Sequence, residues 1–320
     1  MKQPIIYLEE PLNEAQIQSI QAAAPEHLVV AETSTQVNFD EAAIEIMLGW
    51  NQELGKRLLA SDTSQLKWIQ TISAGVDSFD FDSLQKKGVL LSNASGIHSI
   101  AIAEHVLGVL LTQFRGIRPS IYYQAEKKWR TSDFNYQQLS GTKLLIVGTG
   151  HIGQQLAQFA SGLGICVYGV NTTGHVTEGF IECYSQKNME KIMKEMSIVV
   201  NILPLTDETY HLYNRNVFDQ MKAGTVFVNV GRGASVVTAD LITALNSGQI
   251  SFAALDVFEE EPLPSSSPLW QMENVLLTPH ISGLTPNFKA KLLDIFIPNL
   301  KSFLSENKLV KNKVSLTKKY

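Results

Sequence analysis

The 320 residues are 44% hydrophobic and 18% charged, with a mean hydropathy of +0.01, enough apolar material for two ordinary domains and too little charge for disorder. A formal net charge of −5 excludes nonspecific nucleic-acid binding. No stretch holds the roughly 18 uninterrupted apolar residues of a membrane span, and Glu9 and Glu10 cut short the apolar run of MKQPIIYLEE, so no membrane segment and no signal peptide are expected and the chain reads as cytoplasmic.

Ile5–Leu8 reads as a strand, Glu14–Ala24 as a helix and Leu28–Ala31 as a strand. Trp68–Ile72 and Val89–Leu91 read as two more strands, with a helical Phe79–Lys86 between them. A single long helical segment is expected from Ser99 to Trp129. Its apolar residues Ile102, Val106, Leu107, Leu110, Leu111 and Phe114 recur at helical spacing, and Ser99 suits the N-cap. Strands resume at Lys143–Val147, Ile165–Val170, Ile198–Ile202, Thr225–Asn229, Ala253–Val257 and Val275–Thr278, and a last helix runs from Pro286 to Phe303. Strands separated by helices make a parallel sheet covered on both faces. The pattern predicts an α/β protein of two doubly wound parallel-sheet domains with a ligand-holding cleft between them. The larger begins near residue 100; the last helix packs back on the smaller, N-terminal one.

Cys166 and Cys183 are too few for a disulfide framework and stand at no metal-ligand spacing, so both are expected in strands or core, with no metal. Lys308, Lys311, Lys313, Lys318 and Lys319 read as a solvated basic tail.

The strand at 143–147 runs into Gly148-Thr149-Gly150-His151-Ile152-Gly153, and an amphipathic helix follows with Ile152, Leu156, Phe159 and Leu163 on one face. In GxGxxG at a strand end, the first glycine permits the tight turn, the second clears the pyrophosphate and the third brings the helix close to the sheet. The helix N-terminus offers free N–H groups to the phosphates. A dinucleotide is therefore expected on residues 148–153. The next strand ends at Asn171, where NAD-binding units carry an acidic residue for the ribose hydroxyls. Asparagine brings no charge to repel a 2′-phosphate, and Thr172, Thr173 and His175 offer donors, which favours NADP. No arginine clamp is present, and an NAD enzyme with a weaker ribose contact stays open.

Three further strands end in polar positions, at Asn229-Val230-Gly231-Arg232-Gly233, at Asp256 through Glu259-Glu260-Glu261-Pro262, and at Thr278-Pro279-His280-Ile281-Ser282-Gly283. Ligands of parallel sheets bind outside the carboxyl ends of the strands, so all three segments serve one site. These residue types suit reduction of a 2-keto acid. An arginine's planar fork holds a carboxylate and polarises the neighbouring carbonyl. Hydride addition leaves an alkoxide to be protonated, a task for which an imidazole, with an ordinary pKa of about 6.5, is apt.

NVGRG, LDVFEEEPLP, SPLW and TPHISG, in this order and spacing, resemble the D-isomer-specific 2-hydroxyacid dehydrogenase family, whose members include glyoxylate, hydroxypyruvate and phosphoglycerate dehydrogenases. The resemblance covers nearly the whole chain and is densest from Gly141 to Gly283. It implies that Arg232 binds substrate, that His280 is the acid/base and that Glu261 supports it; only the family pattern selects Glu261 over Glu259 and Glu260. It implies a Rossmann cofactor domain of residues 99–284 and a smaller, flavodoxin-like substrate domain of residues 1–98 plus 285–320. Ser73-Ala74-Gly75-Val76-Asp77 resembles the family's substrate loop, in which Ala74, Gly75 and Val76 would meet the carboxylate. Pro204, Val230, Gly231, Asp256, His280 and Gly283 would border the cofactor. Asn93–Ser99 resembles the interdomain crossover, and Ala103-Glu104-His105 the helix that packs across a two-fold interface, implying a homodimer. The chain departs from the family's commonest pattern at Asn171 and around Gly96–Ser99. No regulatory domain follows the last helix, which speaks against a serine-regulated phosphoglycerate dehydrogenase.

Bland roles compete at single positions. Arg232 could be a surface ion-pair partner and His280 a structural histidine. Asp256 could hold the active-site loop, touch the cofactor or cap a turn. His98, His105, His151 and His175 read as structural or solvent-facing, and Trp129, Trp270 and Phe258 as core or dimer-wall aromatics, Trp270 with a possible place in the substrate pocket. At the level of the whole protein, a dinucleotide-sensing binding protein would need no proton donor, and formate oxidation leaves no alkoxide to protonate. The Arg–Glu–His set disfavours both.

Overall fold

Ile5–Leu8 (β1) is buried along its whole length, as a strand covered on both faces of a parallel sheet must be. In the computed structural model, which describes residues 3–32, 39–76, 78–131 and 136–317, β1 belongs to the first of two compact units, Met1–Ile97 with Thr285–Tyr320; the second is His98–Leu284. Asp77, Lys318 and Lys319 lie outside the described residues.

In the first unit α1 (Glu14–Ala23) starts at a capping box, with Asn13 and Gln16 each accepting the other's backbone N–H. Then come β2 (Leu28–Ala31), β3 (Ile44–Leu48), α2 (Gln52–Ala60), β4 (Trp68–Gln70), α3 (Phe81–Lys87) and β5 (Leu90–Ser92). The sheet is parallel throughout, in the order β2-β1-β3-β4-β5. Strand β3 and helix α2 occupy a stretch in which no element was expected. Glu45 interrupts the apolar run of β3, and its carboxylate accepts from His27 Nε2 at 2.7 Å and Lys67 Nζ at 2.6 Å.

The second unit opens with α4 (Ser99–Phe114) and α5 (Ile117–Ala125). The single long helix expected here is broken at Gly116, whose left-handed φ of 68° starts a second helix bent 69° from the first. Ser99 is the first helical residue; His98 holds the cap position without a side-chain capping bond. Next are β6 (Lys143–Val147), α6 (His151–Gly162), β7 (Cys166–Asn171), β8 (Cys183–Ser185), α7 (Met189–Met193), β9 (Ile198–Asn201), α8 (Arg215–Gln220), β10 (Thr225–Asn229), α9 (Thr238–Ser247), β11 (Ile250–Leu255) and β12 (Val275–Leu277). All seven strands are parallel, ordered β12-β11-β10-β9-β6-β7-β8. The winding direction reverses at β6, the place at which open α/β sheets bind ligands. The buried face of α6 is Gly153, Leu156, Ala157 and Ala160; Leu163, expected on that face, lies at the C-cap and is 43% exposed.

The last helix, α10 (Phe288–Glu306), belongs to the first unit. Its Leu292, Phe296 and Leu300 are fully buried with Ile6, Leu8, Ile46, Leu48 and Trp68 on one face of the five-stranded sheet, and Phe296 stacks on Trp68 at 4.9 Å. The alternating residues Ile5 and Tyr7 face the opposite core.

Beyond α10 the described lysines, Lys308, Lys311 and Lys313, are exposed as expected of a solvated tail, but the segment that carries them is packed on the first unit. Val314 is buried and donates its N–H to Leu91 O, and Lys313 bridges Ser92 on the edge strand β5. Of the aromatics expected in a core or a dimer wall, Trp129 is 96% exposed, which rules out the core for it, and Trp270 is exposed with its indole N–H on Pro264 O. Among the described residues no single helix is long and apolar enough to cross a membrane.

Candidate active site

Residues 148–153 form a turn whose first and last glycines are required by the backbone. Gly148 has φ +114°, and a Cβ on Gly153 would stand 2.0 Å from Gly148 O. Around Gly150 a Cβ would meet nothing within 4 Å, and α6 starts there without a side-chain cap. The first-turn N–H groups of α6 therefore face open space at the switch point, and the turn fits the pyrophosphate of a dinucleotide. Within it Thr149 is buried, Ile152 half-buried and His151 exposed.

Asn171 ends β7, but its side chain is turned into its own loop. Its Oδ1 accepts the N–H of Gly174 at 2.7 Å and of His175 at 3.1 Å, while Nδ2 donates to His175 O at 2.9 Å and Thr149 Oγ1 at 3.2 Å. The buried amide thus shapes the loop, and Thr172, Thr173 and His175 are the exposed groups. Thr173 Oγ1 and His175 Nδ1 are 3.0 Å apart.

Arg232 follows β10 between two glycines that packing requires. A Cβ on Gly231 would lie 2.7 Å from Leu203 O, and one on Gly233 only 1.8 Å from Phe258 O. The half-buried Arg232 is thereby threaded between the loops after β9 and β11, with Nη1 donating to Gly231 O at 2.8 Å. A buried amide network braces this loop. Asn201 Nδ2 donates to Asn229 Oδ1 and to Ser235 Oγ, both at 2.9 Å, and Asn229 Nδ2 donates to Arg232 O at 3.1 Å. Val230 is buried beside it.

After β11, Glu261 Oε1 accepts the Phe258 N–H at 2.9 Å. That bond aims the other oxygen at His280, whose Nδ1–H donates to Oε2 at 2.7 Å. A carboxylate only accepts, so the bond fixes the tautomer and leaves Nε2 for a ligand. The geometry separates the three glutamates. Glu261 holds His280; Glu259 accepts from His211 Nε2 at 2.9 Å and from the Thr238 N–H at 2.7 Å; Glu260 is exposed.

His280 itself has φ +53°, a conformation few side chains adopt. Asp256, 1% exposed, secures it. The Asp256 carbonyl accepts the His280 N–H at 2.9 Å, and its carboxylate accepts from Ile281 N, Ser282 N and Thr278 Oγ1 at 2.9, 2.9 and 2.6 Å. Of the roles open to Asp256 in the sequence, the contacts are those of holding the loop. Burial pushes its carboxyl up, but these hydrogen bonds outweigh burial and hold it below the usual carboxylate value.

Thr278 gives its proton to Asp256 and so accepts from His105 Nε2 at 3.3 Å. Burial holds His105 below the ordinary imidazole value, against the opposing pull of Asp256. Below the unfolded value of about 6.5 the unfolded chain takes up a proton that folded His105 refuses, so stability falls as pH falls through that window. We expect His105→Gln to lose less Tm than the parent between pH 7.5 and 5.5; parallel Tm curves would refute this.

The remaining expected residues divide between the units. In the second, Gly283 O accepts from His98 Nδ1 at 2.7 Å, and the exposed Pro204 accepts from Thr209 Oγ1 at 2.7 Å. Ala74, Gly75 and Val76 lie in the first unit, on the loop after β4, where Ser73 Oγ donates to Gly75 O at 2.6 Å. Among the described residues, no acceptor takes the N–H of Gly75 or Val76. Sequence reasoning placed Asn229 and Thr278 at polar strand ends without giving either a supporting role, and it missed Asn201 and Ser235. For Asn201 the available signal was a polar residue closing an apolar strand, as in IVVN.

The profile of the family "D-isomer specific 2-hydroxyacid dehydrogenase, NAD binding domain" matches residues 107–282. Glyoxylate/hydroxypyruvate reductase B of Escherichia coli O17:K52:H18 (strain UMN026) is 33% identical over 322 residues, covering 98% of each chain. Among solved structures, phosphoglycerate dehydrogenase from Lactobacillus plantarum is 41% identical, with 97% of this chain and 100% of that one covered and a TM-score of 0.58. A D-isomer specific 2-hydroxyacid dehydrogenase from Xanthobacter autotrophicus Py2, solved with NADPH and MES, is 27% identical with 100% of both chains covered and a TM-score of 0.81.

Proposed function

The chain belongs to the D-isomer-specific 2-hydroxyacid dehydrogenase family, and on that premise we propose that it reduces a short 2-keto acid to the D-2-hydroxy acid with NADPH. The observation that carries this reading is the 2.7 Å bond from His280, after β12, to Glu261, after β11, the strand that neighbours β10 and its Arg232. Residues 148–153 would hold the pyrophosphate, with Pro204, Val230, Gly231 and Gly283 along the rest of the cofactor. When bound, the reduced nicotinamide supplies the hydride.

The protein's own groups do the rest. The Arg232 guanidinium pairs with the substrate carboxylate and draws charge onto the carbonyl oxygen. The N–H groups of Gly75 and Val76, which meet no acceptor among the described residues, are the anion donors proposed for the first unit, read here as the substrate domain. His280 delivers the proton from Nε2 to the substrate oxygen, while Glu261 keeps Nδ1 protonated and the ring in place.

NADPH is the proposed reductant because the Asn171 loop carries no charge against a 2′-phosphate and exposes Thr172, Thr173 and His175. The Xanthobacter relative was also solved with NADPH. A homodimer belongs to the same proposal, supported by the exposed apolar residues Ile117, Ile121 and Tyr122 of α5, as does a cytoplasmic location.

The test is one screen of both reduced cofactors against glyoxylate, hydroxypyruvate, pyruvate, branched 2-keto acids and the keto acid of phosphoglycerate. We expect turnover of at least one acid, with kcat/KM about tenfold or more in favour of NADPH, a difference of about 1.4 kcal/mol. A preference for NADH would remove the NADP assignment. No turnover with either cofactor would leave a dinucleotide-binding protein.

A further inference from the structure

Three asparagines connect the last helix of the first unit to the loop that carries Gly75. Asn299, fully buried on α10, accepts the N–H groups of Val310 and Lys311 at 2.8 and 2.7 Å and donates Nδ2 to Lys311 O at 2.9 Å. This fixes where the chain goes after α10 and delivers Asn312 to the segment after β5.

Asn312, in a left-handed conformation with φ +50°, donates Nδ2 to Asn93 O at 3.1 Å and to Ser95 O at 2.8 Å, and its carbonyl accepts the Asn93 N–H at 3.1 Å. Asn93 in turn donates Nδ2 to Ala74 O at 2.9 Å, and the adjacent Ala94 N–H reaches Ser73 O at 3.0 Å. Every link is a directional bond to a backbone group, so the chain constrains the course of the main chain at 73–76. The two ends of this arrangement are far apart in sequence.

We propose that the C-terminal segment around Asn312 is a positioning element for the Ser73–Val76 loop, acting through Asn93, and that it sets the affinity for the substrate carboxylate. The inference rests on the reading that this loop takes that carboxylate. Asn312 and Asn93 touch neither substrate nor cofactor in this scheme. They hold the two N–H groups of Gly75 and Val76 in one pose, so that their ordering is complete before the anion arrives.

The test is Asn312→Gly, which keeps the left-handed backbone and removes only the amide, with Asn93→Ala as the second variant. Each is assayed with glyoxylate and NADPH and by amide hydrogen exchange at residues 73–76. A lost bond of ordinary strength predicts a KM for glyoxylate raised about 5- to 10-fold. The scheme also predicts kcat and the KM for NADPH within about twofold of the parent and faster exchange at Gly75 and Val76. Unchanged KM with unchanged exchange would overturn the proposal. So would equal rises in both KM values together with a lowered Tm, which would mark a general structural role. A parent protein inert towards glyoxylate and the other keto acids would overturn the enzymatic reading instead. The exchange measurement would still decide whether Asn312 orders the loop.

Discussion

Replacing His280 with alanine is expected to lower kcat for the reduced 2-keto acid by about 10²- to 10⁴-fold, the range of a single general acid, while NADPH still binds. The imidazole is held at both ends of its function. Nδ1 is committed to Glu261 at 2.7 Å, and the backbone is locked in its left-handed turn by the Asp256 carbonyl and carboxylate. Alanine at 280 leaves those backbone bonds in place, so the loop should survive and the loss should fall on proton delivery. Steady-state kinetics combined with a fluorescence titration of NADPH reads both halves. An undiminished kcat would refute the acid role, and loss of NADPH binding would show that the ring had been holding the cofactor site instead.

Arg232→Lys is expected to lower kcat/KM for the keto acid by about 100-fold or more while leaving NADPH affinity near that of the parent. The substitution keeps the charge and removes the planar fork that matches a carboxylate. The surroundings of Arg232 make the comparison clean. Gly231 and Gly233 are there because neighbouring backbone atoms fill the space of any side chain, and the Asn201–Asn229–Ser235 network fixes the loop independently of residue 232's head group. A lysine amine would reach the region as a point charge with no second parallel hydrogen bond. If kcat/KM stays within a few-fold of the parent, Arg232 acts through charge alone and the bidentate reading fails.

The sequence exposed the α/β alternation and the glycine turn because both are written in local patterns, an apolar run followed by three glycines and an apolar helix face. It concealed β3 because Glu45, charged and in mid-strand, gains its partners from His27 and Lys67, residues remote in sequence. The break at Gly116 was hidden for the opposite reason: apolar spacing continued across it, and one glycine's backbone angle decided the outcome. In the candidate site, residue types and order were legible, but direction was not. Three consecutive glutamates look alike until the Phe258 N–H pins one oxygen of Glu261. Asn171 read as a cofactor contact because it closes a strand, yet its amide is spent on its own loop. The packing of residues 310–316 could not be seen at all, since its partners, Leu91 and Asn93, are two hundred residues away and carry no matching pattern.

The position of α10 has a consequence for biosynthesis. One face of the five-stranded sheet, with Ile6, Leu8, Ile46, Leu48 and Trp68, is packed by α1 and by α10, a helix encoded only after the whole second unit. At about 5–20 residues per second, a ribosome needs roughly 10–40 s to make the intervening unit before that helix emerges. The nascent first unit must spend this interval with the α10-facing part of that face open, and it is in that window that holding chaperones or aggregation would compete for it.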